Sequence, residues 1–169
     1  ISIFGYLIFY VPKFAYIKFR LEAFFDTNQK GNYQSQKATD AIIDGGFFGK
    51  GVGEGTLNTR VPEAHTDYVI SVISEEFGVI FILLILLIFL ILIFRVFKKI
   101  PTEKKNTNRL ILIGSILLII FQVLIHIGVN IRFLPTTGMT LPFLSYGGSS
   151  ILSSSILAGL ILNFTRRKI

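Results

Sequence analysis

The sequence has no cysteine, no tryptophan, one methionine, two histidines and five prolines in 169 residues. Without cysteine there is no disulfide framework and no thiolate metal site. Two histidines, His65 and His126, with no His-Glu-x-x-His pattern, argue against a His-rich zinc site. Acids are scarce, ten Asp and Glu against seventeen Lys and Arg, for a net charge of +7. Polar side chains are missing altogether from the stretch 78–94. What the chain has in excess is apolar surface, with 51% hydrophobic residues and a mean hydropathy of +0.66. A soluble domain of this length carries less. In so apolar a chain the basic residues set membrane orientation, so no nucleic-acid partner is expected.

The apolar runs divide the chain. Residues 1–12, ISIFGYLIFYVP, read as the end of a membrane helix, too short to cross alone because ~30 Å of hydrocarbon takes about 20 residues. No basic n-region or cleavage site precedes them, so we read this start as a truncated helix and not as a signal peptide. Residues 13–66 form a long mixed loop, 69–97 a span, 98–109 a short loop, 110–131 a span, 132–148 a second loop, 149–164 a last span and 165–169 a tail. The segment 95–109 holds six Lys or Arg and one Glu, and the tail is basic, which places both in the cytoplasm. The loops 13–66 and 132–148 then face outward. The expected fold is all-α: a polytopic helical membrane protein with three full transmembrane helices, the end of a fourth and a large extracytoplasmic loop, in one membrane domain.

Four segments carry chemistry. GGFFGKGVGEG, 45–55, fails the phosphate-loop pattern because Asp44 stands at its first glycine and Gly51 follows Lys50. It reads as a flexible loop, or as one packed close to a substrate with Lys50 facing phosphate. VPEAHTDYVISVISEEFG, 61–78, sets Glu63, Asp67, Glu75 and Glu76 against the greasiest run in the chain. If a helix starts at Pro62, then Glu63, Asp67, Ser71 and Glu75 share one face at four-residue spacing. A carboxylate partly shielded from water suits general-base work, while acids in a first helical turn are also favoured by the dipole. Spacing does not choose among the four. Glu75 and Glu76 are expected to face the bundle or the headgroups, not lipid. Gln122, His126 and Asn130 form a polar stripe in the 110–131 span, read first as interhelical hydrogen bonding and second as a cavity lining. LPTTGMTLPFLSYGGSS, 134–150, has prolines at 135 and 142 and cannot be regular helix; at membrane depth such backbone must be buried in protein or line a wet cavity. Ser149 or Ser150 is a candidate cap for the last helix.

LPTTGMTLPFLSYGGSS, PEAHTDYV and EEFG, with RLEAFFDTNQKGNYQSQKA and GGFFGKGVGEG, together resemble the SEDS family of bacterial cell-wall membrane proteins, its division members more than its elongation members. The resemblance runs over essentially the whole chain and corresponds to the C-terminal part of a ten-span protein. It implies a peptidoglycan glycosyltransferase that polymerises lipid II at the outer face of the cytoplasmic membrane. Its implied partners are a class B penicillin-binding protein and other division membrane proteins. The family's catalytic aspartate falls on Asp67. Arg20, Lys50 and Arg60 are the implied cations for the lipid pyrophosphate, with Mg2+ or Mn2+ as a possible helper. Glu63, His65, Ser145, Gly147 and Gly148 are further candidates for substrate contact, and no metal-ligating residue is assigned. The chain departs from the family pattern at Thr137, where lysine is usual, at His126, where asparagine is usual, and at Arg132, where a small residue is common. A lipid II flippase and a non-catalytic division scaffold are the alternative classes. A flippase needs a polar path through the membrane, whereas a polymerase needs its acid at the outer surface.

Overall fold

The structure is a computed structural model that describes residues 24–25, 30–61 and 64–166. The expected helix end at 1–12, the candidates Arg20 and Glu63, and residues 167–169 of the tail lie outside the described residues. Every regular element among the described residues is helical. In chain order they are α1 (Lys30–Gly45), α2 (Leu57–Arg60), α3 (Val69–Phe77), α4 (Val79–Lys99), α5 (Asn106–Asn130) and α6 (Gly148–Thr165), with a 3-10 turn, Ile100–Thr102, after α4.

Three stretches are long and apolar enough to cross a membrane: Val79–Thr102, Asn106–Asn130 and Gly148–Thr165. At about 1.5 Å per residue, even the shortest, at 18 residues, comes close to the thickness of a hydrocarbon core. α4 turns Leu83, Leu87, Leu90 and Phe94 outward, each more than half exposed, as a lipid-facing helix does. The inward faces meet in a core of Ile85, Phe89, Leu112, Ile116, Ile119 and Ile161. On α5 the buried positions Leu112, Ile116, Ile119, Val123, His126 and Asn130 recur every three or four residues and form one stripe. α5 ends where Arg132 takes a left-handed backbone (φ 57°), while the Phe133 and Leu134 amides turn back to the Gly128 carbonyl at 2.7 and 2.9 Å. That conformation costs a β-carbon residue more than glycine.

The expected span 69–97 is two helices. α3 stops at Phe77, Gly78 breaks the chain (φ 84°, ψ 172°), and the span proper starts at Val79. The cause lies in the glycine loop. The amides of Lys50 and Gly51 donate to the carbonyls of Glu75 and Glu76 at 2.8 and 3.0 Å, closing the C-terminus of α3. The amides of Val79 and Ile80 donate to the carbonyls of Gly46 and Phe47 at 2.9 and 3.4 Å, closing the N-terminus of α4. One loop therefore satisfies the orphan groups of two helix ends. The glycines are required by contact: a β-carbon on Gly49 would land on the Glu76 carbonyl, and one on Gly78 on the Phe47 carbonyl. The segment 45–55 is thus a fitted splice, and Lys50 belongs to it.

Other boundaries also move. The long loop 13–66 contains α1 and α2. α1 lays a face of small residues, Ser35, Ala38, Ala41 and Gly45, against α3, and a β-carbon on Gly45 would strike the Ser74 carbonyl. The expected helix start at Pro62 lies outside the described residues, and the next described helix starts at Val69. Residues 64–68 are turns, so Asp67 does not share a helical face with Ser71 and Glu75. α5 begins four residues before position 110 and ends at Asn130, and α6 begins at Gly148. Neither Ser149 nor Ser150 caps α6. Gly147 holds the cap position without a side-chain bond, and the Ser150 hydroxyl accepts from Thr140 Oγ1 at 2.6 Å.

Candidate functional site

Ala64, Tyr68, Val61, Leu57, Ala38, Ala41 and Val129 form a second core, which floors the end of the bundle where α5 stops and α6 starts. The turn His65-Thr66-Asp67 rests on this floor, between the buried Ala64 and Tyr68. Its three successive carbonyls are each held from outside. The Tyr146 amide donates to the His65 carbonyl at 3.1 Å, Ser145 Oγ to the Thr66 carbonyl at 2.8 Å, and Asn130 Nδ2 to the Asp67 carbonyl at 3.0 Å. A turn fixed at three consecutive carbonyls has little freedom to swing. The half-buried Asp67 carboxylate is thereby set against the second loop, its Oδ2 4.0 Å from where a β-carbon on Gly138 would stand.

The holders are themselves held. Asn130 is fully buried, and its Oδ1 accepts from Ser71 Oγ at 2.7 Å and from the Ser71 amide at 3.2 Å. Its Nδ2 also donates to the His126 carbonyl at 2.8 Å, so both ends of the amide are engaged and its orientation is determined. Ser145 is 3% exposed, and its hydroxyl accepts the Leu141 amide at 2.9 Å while donating to Thr66. His126, also fully buried, has Nδ1 3.0 Å from the Met139 carbonyl. A carbonyl can only accept, so Nδ1 carries the proton. This bond pins the GMTLP segment beside Asp67. The polar stripe on α5 is therefore structural hydrogen bonding at Asn130 and His126, reaching α3 and the loop as well as its own helix. Among the described residues, Gln122 Oε1 has no protein partner.

A second polar cluster forms around Glu75. This carboxylate is 1% exposed. Oε2 accepts the Leu57 amide at 2.9 Å, and Oε1 accepts the Thr56 amide, the Thr56 hydroxyl and Lys50 Nζ at 3.0 to 3.1 Å. Glu75 thus serves as an N-terminal cap for α2 supplied from another helix. Burial alone would push its pKa up, but the two amides, the ammonium and the hydroxyl outweigh burial and hold it below the ordinary 4.5. Lys50 also bonds Asp44 at 3.1 Å, and these two acids raise its pKa. Arg60 is exposed at the end of α2 and, with Lys37, Asp40, Asp44 and Glu75, lines a cavity of about 190 Å³.

The predicted residues therefore fall into two groups. His65, Asp67 and Ser145 come together at the held turn, with Gly147 and Gly148 starting the adjoining helix. Lys50 and Arg60 gather around Glu75. His65 is exposed, as is Gly148, whereas the Ser145 hydroxyl is already occupied within the protein. Two site-building residues escaped sequence reasoning. Asn130 stood only as one member of a stripe, and Glu75 as a border charge. A buried amide or carboxylate at a helix end needs partners, but the sequence does not name them. Among the described residues no three His, Cys, Asp or Glu side chains converge on a metal-sized space.

The model of the FtsW/RodA/SpoVE family, described as cell cycle protein, matches residues 1–168. The chain belongs to this family. Among its FtsW/RodA/SpoVE relatives, the probable peptidoglycan glycosyltransferase FtsW of Caulobacter vibrioides is 37% identical over 155 residues, covering 92% of this chain and 40% of that protein. The protein of the same description from Enterococcus hirae is 42% identical over 147 residues, covering 86% and 37%. A chain from a solved peptidoglycan synthase complex, in work on its structural coordination of polymerization and crosslinking, superposes with a TM-score of 0.70 at 26% identity over 96% of this chain and 47% of its own. This FtsW/RodA/SpoVE chain spans about two-fifths of the length of the curated relatives it matches.

Proposed function

We propose that this chain is the part of a membrane glycosyltransferase that carries its catalytic base, and that the enzyme polymerises lipid II into glycan strands at the outer face of the bacterial cytoplasmic membrane during septal wall synthesis. The carrying observation is the turn with three held carbonyls, which presents a half-buried Asp67. Family membership and the names of the relatives supply the reaction class. On this reading Asp67 takes the proton of the acceptor sugar's 4-hydroxyl as that oxygen attacks the donor's anomeric carbon. The C1–oxygen bond to the lipid pyrophosphate breaks and the anomeric centre inverts. Pyrophosphate leaves readily as an anion, so no second carboxylic acid need protonate it, unlike the two-acid arrangement of glycosidases. Holding the base still matters because rate depends on near-attack geometry.

Arg60 is our preferred cation for the pyrophosphate, because Lys50 already faces two carboxylates. His65 and the Gly147-Gly148 segment line the approach to Asp67, and Ser145 acts through the turn it holds. A divalent ion, where one is used, would accompany the lipid pyrophosphate and help to neutralise its charge. A class B penicillin-binding protein and other division membrane proteins are the proposed partners.

The test joins this chain to the length of the Enterococcus hirae relative that it does not match and supplies labelled lipid II with a class B transpeptidase. Glycan strands are expected from the chimera, with a loss of at least about 100-fold in Asp67→Ala, the usual scale for a general base. The control Glu103→Gln, at the end of the bundle away from Asp67, should polymerise normally. Full activity in Asp67→Ala would remove the assignment.

A further inference from the structure

A groove of about 810 Å³ runs between α4 and α6 over Ile119 of α5, from Phe143 of the second loop toward the end of the bundle away from Asp67. Its walls are apolar: Ile88 and Leu92 on one side, Ala158 and Ile161 on the other. These positions recur every three or four residues on each helix, so the groove follows the helix axes. It is not apolar throughout. One helical turn further along the same faces stand Arg95 and Lys99 on α4, and Thr165 and Arg166 close α6. Lys99 and Arg166 also line an adjoining polar recess of about 650 Å³, with Lys104, Lys105 and Asn163. The one acid in that recess, Glu103, accepts from Asn108 Nδ2 at 3.0 Å. Cations thus outnumber acids at one end of a slot whose remaining length is hydrocarbon.

We infer that this groove is a binding site for an anionic phospholipid, its acyl chain between α4 and α6 and its phosphate on Arg95, Lys99 and Arg166. Charge complementarity selects the occupant. A free phosphate would use only the cations, and an apolar helix only the walls. An amphiphile with an acidic head uses both, in the order in which the groove presents them. The basic end is the one that the charge rule assigns to the cytoplasm, where the anionic leaflet lies. The site is independent of the glycosyltransferase reading, because it shares no residue with the Asp67 turn or the Glu75 cluster.

The test measures lipid binding to the 169-residue chain in detergent, titrating phosphatidylglycerol, phosphatidylcholine and inorganic phosphate. Phosphatidylglycerol should bind in preference to phosphatidylcholine, and inorganic phosphate should not displace it. Lys99→Gln with Arg166→Gln should weaken phosphatidylglycerol by roughly fivefold per charge. The matched pair Lys98→Gln with Arg109→Gln removes two charges outside the groove and should leave most of the binding. Ala158→Phe, which fills the groove without touching charge, should also weaken phosphatidylglycerol. Equal loss in both charge pairs would mean a diffuse surface effect. Displacement by inorganic phosphate, or an Ala158→Phe chain that binds normally, would mean that no acyl chain lies in the groove. Any of these three outcomes overturns the site, as does an absence of lipid preference because another protein segment fills the slot.

Discussion

Glu75 is the residue whose role changed most between sequence and structure. Beside an apolar run it reads as a border charge, yet it is the buried acceptor that starts α2 and holds Lys50. Its lowered pKa has a consequence for stability. A carboxyl whose folded pKa lies below its ordinary value of 4.5 stabilises the fold fully above that value, and the contribution is lost as pH falls through the folded pKa. Glu75→Gln is expected to unfold about 1–3 kcal/mol more easily near neutral pH, the scale for hydrogen bonds to a charged group. Thermal unfolding across the acid range should show the gap to wild type closing below pH 4.5. A gap that stays constant to low pH would assign the stabilisation to shape and not to charge. Asp67 is positioned at the same scale in a different way: the turn His65-Thr66-Asp67 is held at its three carbonyls by Tyr146, Ser145 and Asn130, which fixes where the carboxylate stands.

Among the elements, the splice between α3 and α4 organises the site. The glycine loop closes both helix ends at Gly78, and α1 lies on α3 through small residues, so the polar region 30–77 is a packed cap on the spans. Gly78→Ala places a β-carbon on the Phe47 carbonyl in a backbone region that is essentially restricted to glycine. The expected cost is at least about 1–3 kcal/mol. Hydrogen exchange should locate it: the amides of Lys50, Gly51, Val79 and Ile80 should lose protection together, while the α5 amides keep theirs. Unchanged exchange at those four amides would show that the splice does not hold the two helix ends.

At the scale of the whole molecule, three apolar helices stand between a polar cap with Asp67 at one end and a basic rim with Arg95, Lys99 and Arg166 at the other. The charge rule predicts that the rim lies inside. An alkaline phosphatase fusion after Lys105 should be inactive and one after Gly53 active. The reverse pattern would place Asp67 on the cytoplasmic face, away from an outer-face substrate. Orientation, chemistry and the lipid groove are thus open to separate measurements.

Apolar content alone established a helical membrane protein, because a run such as 78–94 with its flanks can cross hydrocarbon as a single segment only as helix. The motif strings established the family, which the match over residues 1–168 bears out. The positions of the two later spans were legible to within a few residues, since their hydrophobic stripes are long. The break at Gly78 was not legible. Nothing local forbids a continuous helix from Val69 to Lys99 with one glycine inside it; the interruption exists because a loop thirty residues earlier supplies hydrogen bonds to both cut ends. Nor could spacing along an assumed helix group the acids, because the clamp on Asp67 joins residues 63 and 79 positions apart in the chain. Periodicity reports which face of a segment is apolar. Which buried polar atom finds which partner depends on how the segments cross, and that only the packed chain decided.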